Sequence, residues 1–125
     1  LNFRQLEETH AMENIISNEL KIRGFNVDVG VITLNKTNER GHGIRRQLEI
    51  DFICNKGSRR YYIQSAYAIP DQAKMEQAQR SLTLTGDFFK KIIITKDVPA
   101  SYYNDNGVLI LSVYDFLLDE NSLEN

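Results

Sequence analysis

The sequence predicts an α/β domain, a mixed central sheet flanked by helices in the order α-β-β-β-α-β-β-α. Three observations lead there. Apolar residues recur at helical spacing in the first fifth of the chain. Two stretches rich in β-branched and aromatic residues then meet at a short Gly-containing turn. Two short, wholly apolar runs follow in the second half, of the kind that sits inside a sheet rather than at its surface.

The elements follow in order. From about Leu6 to Arg23, Leu6, Met12, Ile15, Ile16 and Leu20 define a helix, stopped at Gly24 behind the basic Lys21 and Arg23. Glu13 falls on the apolar stripe of that helix, where a carboxylate is costly unless it is paired or binds a cation. Phe25 to Leu34, with Val27, Val29 and Val31, alternates as a strand. Asn35 to Arg46 is polar and reads as a surface loop or an extended hairpin tip. Leu48–Cys54 and Arg60–Tyr67 form a hairpin around Lys56-Gly57-Ser58-Arg59. That turn pairs Asp51 with Gln64 and Cys54 with Tyr61.

Strict alternation then puts Leu48, Ile50, Phe52, Cys54, Tyr61, Ile63, Ser65 and Tyr67 on one face. Glu49, Asp51, Ile53, Tyr62, Gln64 and Ala66 fall on the other. Pro70-Asp71 opens a second helix that runs to about Thr85 and closes at Gly86, with Ala73, Met75, Ala78 and Leu82 turned inward. Lys91–Thr95 and Val108–Leu111 are short central strands, joined by a loop from Val98 to Gly107. Ser112 caps a last helix containing Tyr114, Phe116 and Leu117, and Asp119–Asn125 reads as a frayed tail.

The 125 residues make one domain, 1–125, long enough for a core without disulfides or structural metal. The lone Cys54 reads as a buried thiol, and no apolar run approaches the roughly 20 residues that span a bilayer. These features, with no secretion signal, fit the cytoplasm. A net charge of −2 argues against nucleic-acid binding by the whole surface while leaving room for a local basic patch. The chain opens at Leu1, which suggests a piece of something longer.

An acid on the first helix (Glu13), an acid on the second strand (Asp51) and Gln64-Ser65-Ala66 on the third resemble the restriction-endonuclease-like, PD-(D/E)XK, nuclease fold. Flanking residues narrow the resemblance. Glu8-Thr9-His10-Ala11-Met12-Glu13-Asn14-Ile15-Ile16, Asn26-Val27-Asp28-Val29-Gly30 and Tyr61-Tyr62-Ile63-Gln64-Ser65-Ala66-Tyr67 are similar to one family. So are Arg80-Ser81-Leu82, Phe89-Lys90-Lys91-Ile92-Ile93-Ile94 and Asp115-Phe116-Leu117-Leu118. That family is the domain of unknown function at the C-terminal end of predicted prokaryotic AAA-type P-loop ATPases.

The resemblance implies an N-terminal ATPase core as partner within the same parent chain. No Gly-x-x-x-x-Gly-Lys-Ser/Thr occurs here, so ATP binding is not expected of these residues. It further implies that Glu13, Asp51 and Gln64 are the remnants of a metal site that held Mg²⁺ or Mn²⁺, now weakly. Ala66 stands where an active nuclease carries lysine. Lys74 and Arg80 are the cations that could have moved into that role, and His10, on the same helix face as Glu13, could support the carboxylates. Arg45 and Arg46, with Lys74 and Arg80, are the candidate nucleic-acid contacts. Lys56, Arg59 and Arg60 at the hairpin turn could also meet phosphates.

Three functions fit these residues. The first is a catalytically degenerate nuclease-like module that binds or regulates, with DNA as the candidate ligand. The second is an active Mg²⁺/Mn²⁺ nuclease with a relocated cation, and the third a protein-interaction domain.

Overall fold

The computed structural model describes residues 2–125. Helix α1 (Phe3–Ile22) begins with a capping box. The Asn2 side chain accepts from the Gln5 backbone N–H, and the Gln5 side chain accepts from that of Asn2. Gly24, at φ 90°, ends the helix where the sequence marks its stop. Strands β1 (Asn26–Thr37), β2 (Gly43–Lys56) and β3 (Arg59–Ala66) form an antiparallel meander. Helix α2 (Gln72–Thr83), capped by the Asp71 side chain on the Lys74 N–H, leads to β4 (Lys90–Thr95). A two-residue strand β5 (Tyr102–Tyr103), β6 (Leu109–Ser112) and α3 (Val113–Leu118) complete the chain.

The sheet order is β1-β2-β3-β4-β6-β5, with β3, β4 and β6 parallel and both edges antiparallel. This is the mixed sheet flanked by helices that the sequence predicts, with one strand more. β5 lies inside the segment expected as loop, because two tyrosines are too short a run to show a period.

Each sheet face carries its own core. On one, Met12, Ile16 and Leu20 of α1 and Val113 and Phe116 of α3 pack on Phe52, Cys54, Tyr61, Ile63, Ile92, Ile94, Leu109 and Leu111. On the other, Met75 and Leu82 of α2 pack on Ile50, Tyr62, Ala66, Ile93 and Ile110. Each fully buried aliphatic side chain contributes about 1.5–3 kcal/mol. Leu6 and Ile15 of the first helical stripe are left exposed, and so is Ala73 of α2, against expectation. Burial pushes the Cys54 thiol up to about 12, so it remains a protonated packing group.

The hairpin register is the expected one from Cys54↔Tyr61 to Phe52↔Ile63. The strict face assignment fails one residue further back. β1 and β2 pair Asp28 with Ile53 but Gly30 with Ile50, so Asp51 and Phe52 together oppose Val29. This is a β-bulge, and it reverses the alternation. Ile50 therefore joins Ile53 and Tyr62 on the α2 face instead of Phe52 and Cys54 on the α1 face. Gly30 makes room for it, since a Cβ there would lie 2.4 Å from Ile53 Cδ1 and 3.2 Å from Ile50 Cβ.

The C-terminal residues also depart from expectation. Ser122–Glu124 form a 3₁₀ turn with Ser122 and Leu123 buried. Arg23, stacked 4.5 Å over the Phe116 ring, donates to the Phe116 carbonyl and the Ser122 hydroxyl, and Glu124 accepts from Tyr61 and Arg59. A tail that reads as polar is tied down by one buried leucine and a buried arginine. Burial and the Glu124 carboxylate push the Tyr61 hydroxyl up to about 12.

Candidate functional site at the strand bulge

Asp51 occupies the bulge, and its surroundings follow from that position. Its backbone N–H is met by the Gln64 side-chain oxygen at 2.7 Å, where regular β2–β3 pairing has ended. Its carboxylate accepts from the Ser65 N–H at 2.9 Å. The Gln64 amide nitrogen donates to Ser81 Oγ on α2 at 2.8 Å and lies 3.4 Å from the Ala78 carbonyl. Gln64 is thus a strut between the bulge and α2, and both ends of its amide are engaged.

Glu13 approaches from α1, half-buried between Met12 and Ile16. Burial holds its carboxyl above the ordinary range, and the Asp51 charge raises it further while His10 opposes. The Asp51 carboxyl is raised as well, chiefly by burial and then by Glu49, against the Ser65 N–H. Burial thus raises both carboxyls, His10 is exposed one helical turn before Glu13, and the Gln64 amide is directed to the Asp51 N–H and to α2. Ser65 Oγ is buried without a hydrogen-bond partner among the described residues, a free oxygen on the residue that binds Asp51.

This donor set fits a divalent ion loosely. Glu13 and Asp51 would hold it and the Ser65 hydroxyl could join, while no group of three or more His, Cys, Asp or Glu residues forms among the described residues. Such an ion would offset the cost that burial places on ionising each carboxylate. Water activation is a separate need. Ala66 presents a methyl into the apolar α2-side core, and Lys74 and Arg80 are exposed on α2. The hydrogen bonds at Asp51 come from Gln64 and Ser65 instead.

The other cations divide into two groups. At the hairpin turn, Lys56 donates to the Arg23 carbonyl, Arg59 pairs with Glu124 and Arg60 donates to Asn55. Arg45 and Arg46 lie on the far part of β2, away from these partners and exposed. A cleft of about 990 Å³ runs along α2 past Arg80, Asp87, Phe88, Lys90 and Lys91. Its lysines are engaged, Lys91 with Asp87 and with two carbonyls, Lys90 with the Asn125 carbonyl. Sequence reasoning did not single out Gly30, Ser65 or Ser81. Gly30 was the legible one, since a glycine inside a valine-rich strand signals a bulge or a close approach.

Fold and site together define an α/β domain with a half-buried aspartate at a bulge in the second strand. The chain is 33% identical over 110 residues to a Haemophilus influenzae strain Rd protein described as uncharacterized, an overlap of 86% of this chain. It spans only 22% of the length of that relative. No family model matches the chain, and no solved structure matches it. No helix among the described residues is long and apolar enough to cross a membrane.

Proposed function

We propose that this chain is a nuclease-like domain that has lost hydrolysis and serves as a binding or regulatory module of a larger protein, with DNA as its ligand. The observation that carries the reading is Gln64. The residue at the metal-ligand position holds the Asp51 N–H with one end of its amide and α2 with the other. A side chain fixed in that way supports the fold and gives nothing to a phosphate. Ala66 two residues on supplies no charge to an attacking water or a leaving group. The larger protein is an AAA-type ATPase on this reading, and the 22% overlap with the relative is compatible with a domain of a longer chain.

The test is a cleavage assay on duplex DNA, single-stranded DNA and RNA with Mg²⁺ or Mn²⁺, with calorimetric Mn²⁺ titration beside it. The expected result is no cleavage, with any Mn²⁺ binding weak and lost in Asp51→Ala. Metal-dependent cleavage that Asp51→Ala abolishes would overturn the loss of hydrolysis.

A second reading has one observation in its favour. Ala11, Met12 and Ile15 of α1 and Val113, Tyr114 and Leu117 of α3 line an apolar groove of about 300 Å³. Phe3, Leu6 and Leu118 add exposed apolar surface on the same two helices. Such a surface suits a protein partner, including the rest of the parent chain. Loss of partner binding in Ile15→Asp with DNA affinity intact would favour it.

A further inference from the structure

We propose that the β1–β2 ribbon from Thr33 to Gln47 is a DNA-binding arm that enters the major groove of a duplex. The inference rests on the reading of this chain as a DNA-binding module and names the surface and the form of DNA.

The ribbon extends beyond its sheet. β1 and β2 remain paired from Thr33↔Gln47 to Thr37↔Gly43, whereas β3 pairs with β2 only over Phe52–Lys56. Every residue from 33 to 47 is exposed except Leu34 and Asn38, which are half-buried. At about 3.4 Å per residue the five pairs span about 14 Å, deeper than a major groove of about 8.5 Å. The tip is preorganised. The Asn38 side-chain oxygen accepts from the N–H groups of Arg40 and His42, and its own N–H donates to the His42 carbonyl. Gly41, at φ 77°, allows the turn.

Charge is segregated onto this ribbon. It carries Lys36, Arg40, Arg45 and Arg46 against Glu39, a net of +3 in a chain of net −2, so the rest carries −5. Among the described residues no carboxylate lies within 4.0 Å of any of these four cations, since the ion pairs present are elsewhere. The turn cations Arg59 and Arg60 are by contrast satisfied within the chain. An acidic body would be repelled by DNA, which leaves the ribbon as the surface that can approach.

The two faces differ in the way groove recognition requires. Register and alternation place Thr33, Asn35, Thr37, Arg45 and Gln47 on one face. These are donors and acceptors suited to base edges. Lys36 and Arg46 lie on the other face with Leu34 and Ile44, within reach of the phosphate walls. A two-stranded ribbon fits the roughly 12 Å major groove of B-form DNA, and the deep, narrow one of RNA excludes it.

The experiment is fluorescence anisotropy of the whole 125-residue chain with a labelled duplex, and with each single strand, across a salt series in EDTA. Omitting metal separates binding from any chemistry at Asp51. The expected result is duplex binding that Arg45→Gln/Arg46→Gln weakens by at least about 10-fold, with the salt slope reduced by about one for the phosphate contact of Arg46. Lys21→Gln/Lys96→Gln, which removes the same charge from elsewhere, should leave duplex affinity within about twofold, and both proteins should melt like the parent. No duplex binding, equal binding to single strands, or equal loss in the two double variants would overturn the arm. Failure of the degenerate-nuclease reading shows separately, as cleavage when Mg²⁺ or Mn²⁺ is restored.

Discussion

The bulge and the arm lie on the same two strands and use their polar groups in opposite ways. At the bulge, the Asp51 N–H and carboxylate, the Gln64 amide, the Ser65 N–H and the Ser81 hydroxyl meet one another inside the molecule. On the arm, four cations meet no carboxylate among the described residues. A polar group that is internally satisfied reports on stability when it is removed. A polar group left to solvent reports on a partner. The same kind of substitution should therefore read out in different assays at the two places.

The largest loss should follow Gln64→Ala. It leaves the Asp51 N–H and the Ser81 hydroxyl without their partner and frees α2 from the bulge, at a cost of roughly 3 kcal/mol. Urea unfolding measures it, and a loss under about 0.5 kcal/mol would show that Gln64 is no strut. Gly30→Ala comes next. Its Cβ would press on Ile53 and Ile50, and overpacking of this kind costs roughly 1–3 kcal/mol. An unchanged melting temperature would mean that the bulge relaxes without strain.

Gly30 also marks the limit of what the sequence displayed. Helices and strands were legible because Met12, Ile16 and Leu20, or the run Ile92-Ile93-Ile94, carry their period openly. The pairing of Cys54 with Tyr61 was legible because a short turn fixes register. The face of Ile50 was not, because a bulge breaks the period of two without changing the residue types. Glu13 and Asp51 stand out as acids among apolar neighbours, and the structure leaves both half-buried. The role of Gln64 could not be read, since it depends on Ser81, 17 residues away on a helix. The arm read as a surface loop or an extended hairpin tip, and the hairpin is what forms; the choice was open because its order comes from strand pairing and from the Asn38 side chain rather than from apolar residues.

A smaller effect, of opposite sign, is expected at Glu13. Its carboxyl titrates above the ordinary range in the folded chain, so folding favours the protonated form. The associated stability is fully present below the unfolded-state value and is lost as pH rises through the folded one. Glutamine mimics the protonated form at every pH. Glu13→Gln should therefore raise the melting temperature at pH 7, and the gain should vanish in acid. A destabilised variant at pH 7 would mean that the Glu13 charge is compensated in the fold.

The smallest stability effect belongs to the arm. Arg45→Gln/Arg46→Gln removes two charges that touch no carboxylate among the described residues, so unfolding free energy should change by less than about 0.5 kcal/mol. The direction is informative. Like charges crowd this ribbon, and relieving them should stabilise slightly at low salt and not at all at high salt. A clear destabilisation would place these arginines among the structural groups, with Gln64, and remove the contrast between the two regions. Unchanged stability together with lost duplex affinity would locate the cost of an uncompensated basic ribbon in its binding. An acidic chain that keeps four cations together, with no carboxylate partner among the described residues, bears that repulsion in the free state and is relieved of it on a polyanion.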